Sequence, residues 1–217
     1  DQLEQIPTEI HFYGSGASSA ARQAPLQSAF ESSFPKAKLS VSHDLLGAAR
    51  ATLGDSAGLV GILGTGSNCC TYDGNSIIRE YRSGGYILSD EGGGVYMGKM
   101  LLKAFIEDAL EADVRAAFTK EYQLDVDMIL QKIYKENMPN RFIASFSEFI
   151  GRYRAHSQIK DMIDENFDAF FRQKASRFKD HQDLPLGVVG SIANHFETAL
   201  RDAAERFGIR LSNIEAR

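Results

Sequence analysis

The sequence is short of the residues and patterns that mark several large protein classes. It holds two cysteines, and these are the neighbours Cys69 and Cys70. A pair this close cannot form a disulfide framework, and it matches neither a zinc nor a thioredoxin-type spacing. A reducing cytoplasm is the expected setting. No apolar run approaches the roughly 18 residues that suggest a membrane span, and the start of the chain lacks the charged-then-apolar pattern of a signal peptide. There is no run of Lys or Arg, and the formal net charge is -5, which argues against nucleic acid or an anionic membrane as the main partner. The P-loop pattern G-x-x-x-x-G-K-[ST] occurs nowhere, so a Walker-type NTPase is not expected. His11, His43, His156, His181 and His195 show no metal-binding spacing, and no metal ligand is assigned. Internal repeats and low-complexity segments are also missing.

What remains is ordinary globular protein of 217 residues, 43% hydrophobic and 24% charged, enough for one large domain or two small ones. Thr8 to Tyr13 reads as a strand, and Gly14-Ser15-Gly16 leads into a helix over about Ser18 to Ser33, stopped by Pro35. Lys38 to Ser42 reads as a second strand, followed by a helix over Leu45 to Leu53 that ends at Gly54. Gly58 to Leu63 (GLVGIL) is a continuous apolar run of the kind a strand buried on both faces requires. Ser67 to Tyr72 and Ser76 to Tyr81 both look extended around Asp73-Gly74-Asn75, a hairpin signal. A Rossmann glycine loop runs into a helix, so Gly64-Thr65-Gly66 between two strands speaks against a dinucleotide fold. A long helix is expected from Gly92 to Leu110, a helix-rich stretch without obvious chemistry over about 124 to 180, a strand within Leu184 to Gly190, and an amphipathic helix from Ile192 to Phe207. That last helix-and-turn pattern asks for a following strand, and the chain begins at Asp1 without a methionine; both features read as those of a fragment.

Four places carry chemistry. Gly61 to Asn68 sets three glycines and two hydroxyls behind a buried strand, so backbone N–H groups can approach phosphate oxygens without obstruction from Cβ. A plainer reading is a tight hairpin that needs glycine for positive φ. Asp44 stands at a strand end, where open α/β folds bind ligands, and could accept a hydroxyl proton in phosphoryl transfer; alternatively it caps the following helix. Ser89-Asp90-Glu91-Gly92-Gly93-Gly94 offers Asp90 to sugar hydroxyls or an amide, or else caps the long helix through Ser89. Val189-Gly190-Ser191 places a glycine and a hydroxyl between a strand and a helix N-terminus.

Together, HDLLGAARA, GILGTGSNC, GGYILSDEGGGVYMGK and VVGSIA resemble the N-acetylglucosamine kinase family and its bacterial relatives, within the actin/hexokinase-like ATPase superfamily. The order and spacing match over nearly the whole chain. The resemblance implies an α/β fold of two RNase H-like domains, mixed sheets flanked by helices, with the site in the cleft between them. Residues 1–56 would be the remainder of an incomplete first domain, and residues 57–217 a second with a helical insertion at about 112–180. It implies Asp44 as catalytic base and sugar ligand, Gly64, Thr65 and Gly66 on ATP phosphate, Ser67, Asn68, Gly85 and Asp90 on the sugar, and Gly190 and Ser191 beside the adenosine. ATP and Mg²⁺ are the implied cofactors. The family's D-x-G-x-T-K-T phosphate hairpin is not found here, Ser89 replaces a usual glycine, and Gly84 stands where some relatives carry an aromatic residue.

The function so implied is ATP-dependent phosphorylation of N-acetylglucosamine or a related amino sugar, in a cytoplasmic protein whose partners are a sugar and ATP, with a homodimer left open. Two alternatives stand beside it. An ATPase activator of the 2-hydroxyacyl-CoA dehydratase type would need well-separated cysteines for an iron–sulfur cluster. A non-enzymatic sugar sensor would use the same fold without turnover.

Overall fold

The computed structural model describes residues 7–179 and 181–216. Strand β1 (Glu9–Gly14) pairs in parallel with β2 (Lys38–His43), and helix α1 (Ala20–Ser33) makes the crossover that parallel pairing requires. The chain then enters α2 (Asp44–Leu53) with no intervening loop. His43, not Asp44, holds the cap position, and its ring Nδ1 accepts from the Leu45 N–H at 3.4 Å. Asp44 is the first helical residue, where its negative charge suits the helix dipole.

Next come β3 (Gly58–Leu63), β4 (Ser67–Tyr72) and β5 (Ile77–Glu80), an antiparallel meander. The β4–β5 turn is fixed by the Asp73 carboxylate, which accepts from the N–H groups of Asn75 and Ser76 at 2.8 and 2.7 Å. A short helix α3 (Gly85–Leu88), which the sequence pattern did not suggest, precedes α4 (Gly94–Ile106). The helical stretch resolves into α5 (Ala112–Tyr122), α6 (Val126–Tyr134), α7 (Pro139–Ser145), α8 (Ser147–Arg152) and α9 (Ser157–Gln173). Strand β6 (Leu186–Val189) follows. The single helix expected after it is two, α10 (Ser191–His195) and α11 (Glu197–Arg206), broken at Phe196. The strand asked for beyond them is β7 (Leu211–Glu215), parallel to β6. The second sheet therefore has the order β5-β4-β3-β6-β7, antiparallel on one side of β3 and parallel on the other.

Strand β3 explains its own unbroken apolar run. Leu59 and Leu63 face a large core built with the helices, while Val60 faces a smaller one made by Leu45, Ala48 and Ala49 of α2 with Cys70 and Tyr72 of β4. The apolar stripe of α2 is thus buried on the five-stranded sheet. Its last turn lies over the starts of the central strands: a Cβ on Gly58 would sit 2.7 Å from Leu53, and one on Gly187 would collide with Thr52. Leu46, in its first turn, packs with Ile62 and Val189 near the strand ends. Asp44 accordingly lies at the carboxyl ends of β3 and β6, the end at which α/β sheets offer ligand sites.

Candidate active site

Two glycine-rich turns interlock at that end. The Gly64–Gly66 turn joins β3 to β4, and its carbonyls receive the first amides of α4: Gly94 N–H donates to Gly64 O at 2.8 Å and Val95 N–H to Thr65 O at 2.9 Å. Gly64 N–H donates to Gly66 O within the turn. The Thr65 and Gly66 N–H groups have no partner among the described residues. These two amides and the exposed Thr65 hydroxyl are what the turn can offer a phosphate. Close approach accounts for two of the glycines, since a Cβ on Gly66 would lie 2.6 Å from Asp90 Oδ2 and one on Gly93 would lie 2.7 Å from the backbone of Gly66, whereas Gly64 has open space at that position.

Asp90 adopts a left-handed backbone, φ +71°, that few residues other than glycine accept. Its Oδ1 accepts from the Ser67 N–H at 3.4 Å and the Ser83 hydroxyl at 3.3 Å, and the residue is buried. Ser89 does not cap α4, because Gly93 occupies that position. Its hydroxyl instead belongs to a chain of polar contacts: Lys174 Nζ donates to Ser89 Oγ at 2.9 Å, and Ser89 Oγ donates to Glu91 Oε2 at 3.2 Å. From α9, the fully buried Asn166 accepts the Gly92 N–H at 3.2 Å. The residues on both sides of Asp90 are therefore gripped by the helical stretch that carried no chemistry in the sequence pattern.

The expected sugar residues fall into two groups. Asn68 lines an open polar cleft of about 670 Å³ together with Ser18, Arg22, His43, Glu80 and Arg82, whereas the buried Asp90 stands behind Ser83, another residue of that lining, from whose hydroxyl it accepts. One wall comes from the segment that runs into Asp44 and the other from β4 and β5. The cleft's size suits a monosaccharide. Asn68 is held there by Nδ2 donating to Glu80 Oε1 at 2.9 Å. Asp44 adjoins His43, its Oδ1 accepting from its own Leu45 neighbour's N–H at 2.9 Å and lying 3.2 Å from His43 Nδ1, so Oδ2 is the oxygen left for a substrate hydroxyl. Ser67 behaves differently. Its hydroxyl donates inward to Glu91 O at 2.6 Å, so it ties the turns together and offers nothing to a ligand. Gly85 is exposed at φ +67°, with its N–H on Ser83 Oγ at 3.0 Å.

Gly190 and Ser191 sit on the other side of the Gly64–Gly66 turn. Gly190 has φ +128°, and a Cβ there would collide with Leu63 O, so the strand-to-helix corner admits only glycine. The exposed Ser191 borders a pocket of about 770 Å³ with Arg152, Asn194 and His195. Outside both pockets, Glu111, Asp113 and His156 bring their ligand atoms within 4.8 Å of one another. The two acids are exposed and lie 3.5 and 3.3 Å from His156 Nε2.

The likeness to known structures agrees with this arrangement. A candidate N-acetylglucosamine kinase from Porphyromonas gingivalis superposes with a TM-score of 0.93 at 34% identity, over 97% of this chain and 74% of that one. The chain belongs to this N-acetylglucosamine kinase family. A second candidate kinase of that name, from Chromobacterium violaceum, matches with a TM-score of 0.73 at 20% identity over the same shares of the two chains, and shows the fold alone. So does the ethanolamine utilization protein EutJ from Carboxydothermus hydrogenoformans, at TM-score 0.52 and 15% identity, over 98% of this chain and 62% of that one. The fold is the mixed α/β architecture of actin/hexokinase-like ATPases. No protein-family model and no curated protein matches the sequence. Among the described residues no helix is long and apolar enough to cross a membrane. Both cysteines are buried and free, and burial pushes the Cys69 thiol up to about 12. Neither is an accessible thiolate of the kind an iron–sulfur cluster needs.

Proposed function

We propose that this protein is an ATP-dependent sugar kinase that phosphorylates N-acetylglucosamine or a related amino sugar, at its 6-hydroxyl, with Asp44 as general base. The observation that carries the reading is the polar cleft whose opposing walls hold His43, next to Asp44, and Asn68, next to the Gly64–Gly66 turn. The family membership supports it. Sugar would lie in the cleft against Asn68 and Asp90, with Gly85 at its border. ATP would lie across the Gly64–Gly66 turn, its phosphates on the Thr65 and Gly66 amides and its adenosine by Gly190 and Ser191. The unpartnered amides and the Cβ-free corner at Gly190 fit such a ligand. Mg²⁺ would arrive on the nucleotide phosphates.

In the step itself, Asp44 Oδ2 takes the proton of the sugar hydroxyl as that oxygen bonds to the γ-phosphorus. The bond from the γ-phosphorus to the β–γ bridging oxygen breaks, and ADP leaves. A loose transition state asks the protein chiefly to position and to balance charge, which two rigid interlocked turns can do. The residues before α2 would close over the cleft against the rest of the chain to exclude water, because α2 packs on the larger sheet and would move with it. Replacing Asp44 by Asn should lower sugar-dependent ADP formation by roughly 10²- to 10⁴-fold, the usual share of a general base, with ATP affinity kept. Turnover by that variant at the wild-type rate rejects the assignment.

A further inference from the structure

We propose that a second, smaller cavity beside the sugar cleft is an oxyanion subsite, built to take a phosphate or carboxylate that either substitutes the sugar or binds next to it. The cavity measures about 220 Å³ and shares Asn68 and Arg82 with the cleft. It thus adjoins the cleft while being walled by different residues, Tyr81, Lys174, Arg177 and Phe178. The inference rests on the sugar-cleft reading for its neighbour, but not for its own chemistry.

The charges decide which ligand fits. In a chain of net charge -5, the described residues lining this cavity include three cations, Arg82, Lys174 and Arg177, and one carboxylate, Glu91. Glu91 is already answered, because Lys174 Nζ lies 3.4 Å from its Oε2 and the Ser89 hydroxyl donates to the same oxygen. Both members of that pair are about nine-tenths buried, at 11% and 10% side-chain exposure, so their charges are spent on each other. Arg82 and Arg177 meet no carboxylate among the described residues. Arg177 lies over the Tyr81 ring, its Cζ 4.1 Å from the centroid, and the Tyr81 hydroxyl donates to the Arg177 carbonyl at 3.1 Å. A guanidinium fixed on an aromatic face keeps its N–H edge free for a planar or tetrahedral oxyanion. The Gln173 amide adds a further donor to the lining. A cavity with this cation excess and one fully compensated acid favours an anion over a neutral or cationic group. Its volume admits a phosphate or carboxylate.

The test is calorimetric titration of the full chain with inorganic phosphate, N-acetylglucosamine and glucosamine 6-phosphate at fixed ionic strength. It uses wild type and two variants of the exposed Arg177, Arg177→Gln and Arg177→Glu. Phosphate should bind the wild type, weaken roughly tenfold in Arg177→Gln as a charge-assisted contact is lost, and fail to bind this subsite in Arg177→Glu. N-acetylglucosamine affinity should stay within about twofold in all three. If glucosamine 6-phosphate binds more tightly than phosphate and displaces N-acetylglucosamine, the oxyanion arrives on a sugar. If phosphate binds alongside N-acetylglucosamine and the sugar phosphate gains nothing, it is a free ion. Phosphate held only on the Gly64–Gly66 turn is indifferent to Arg177, so equal phosphate binding in wild type and Arg177→Glu overturns the proposal, as does no phosphate binding at all. Arg177-dependent phosphate binding in a protein that ignores N-acetylglucosamine leaves the subsite standing and removes the sugar reading instead.

Discussion

The interlocked turns and the aromatic helical layer achieve rigidity by opposite means. In the turns, order comes from side chains that are missing: Gly66 leaves room for the Asp90 carboxylate, and Gly93 leaves room for Gly66 itself. In the helical layer, order comes from side chains that fill space. Phe118 of α5 has the rings of Phe105, Tyr122, Phe146 and Phe149 within 4.7 to 5.5 Å, and it is fully buried. The first device fixes polar atoms through close approach of backbone to backbone and side chain. The second contributes burial and is indifferent to small shifts. Stability and chemistry should therefore respond separately to mutation.

The largest effect is expected in the helical layer. Phe118→Ala removes a ring from a sealed aromatic cluster, and such truncations cost about 3–5 kcal/mol. Denaturant unfolding should show that loss, while kcat/KM per folded molecule stays near wild type. A comparable fall in kcat/KM breaks the proposed separation. Gly66→Ala is the reverse case. Its new Cβ meets the far end of a side chain, Asp90 Oδ2 at 2.6 Å, which can yield. The yielding group, however, is the carboxylate proposed to hold the sugar, so kcat/KM should drop about a hundredfold, equivalent to roughly 2.7 kcal/mol. The melting temperature should move by only a few degrees. A variant with normal kinetics removes Asp90 from the sugar site.

The same contrast explains what could be read from the sequence. The buried strand β3, the hairpin around Asp73 and the glycine turn before β4 are written in consecutive residues, through apolar runs and turn chemistry that act over a few positions. The grip on the Asp90 turn is not. Asn166 is 74 residues from Gly92 and Lys174 is 85 residues from Ser89, so nothing local in α9 distinguishes these polar residues from solvated ones. The apolar stripe of α9 was legible and led only to packing. The inward bond of Ser67 is hidden for a related reason: the partner of a hydroxyl in a glycine-rich turn is visible only once the other turn is folded against it. The His43 cap and the short helix α3 likewise depend on contacts that periodicity does not encode. Gly190 stands out in the sequence as a glycine between a strand and a helix, but its close approach to Leu63 O is visible only once the strands are paired.

Asn166 tests the junction between the two regions. Asn166→Leu keeps the volume of a fully buried side chain but leaves the Gly92 N–H without an acceptor. A buried unsatisfied amide costs about 1–3 kcal/mol, partly offset because the substitution also removes an Nδ2 that has no partner. Net destabilisation of about 1 kcal/mol is expected. If the helix positions Asp90 through Gly92, the KM for sugar should rise severalfold with kcat and the KM for ATP unchanged. Equal loss in all three parameters would mean that α9 supports the fold without orienting the sugar carboxylate.

The smallest effect belongs to the outer face, where neither device operates. Arg201 and Glu197 form an i,i+4 ion pair on α11, 2.8 Å apart and nearly half exposed on both sides. Water and salt screen such a pair, and helix pairs of this type contribute about 0.3–0.5 kcal/mol. Arg201→Ala should shift the unfolding midpoint by no more than that, and the shift should vanish in high salt. A loss several times larger would show that α11 is held by its charges as well as by Leu200, Ala203 and Ala204 on its buried face. The division between packed helices and polar turns would then need a third category on the surface of the sheet.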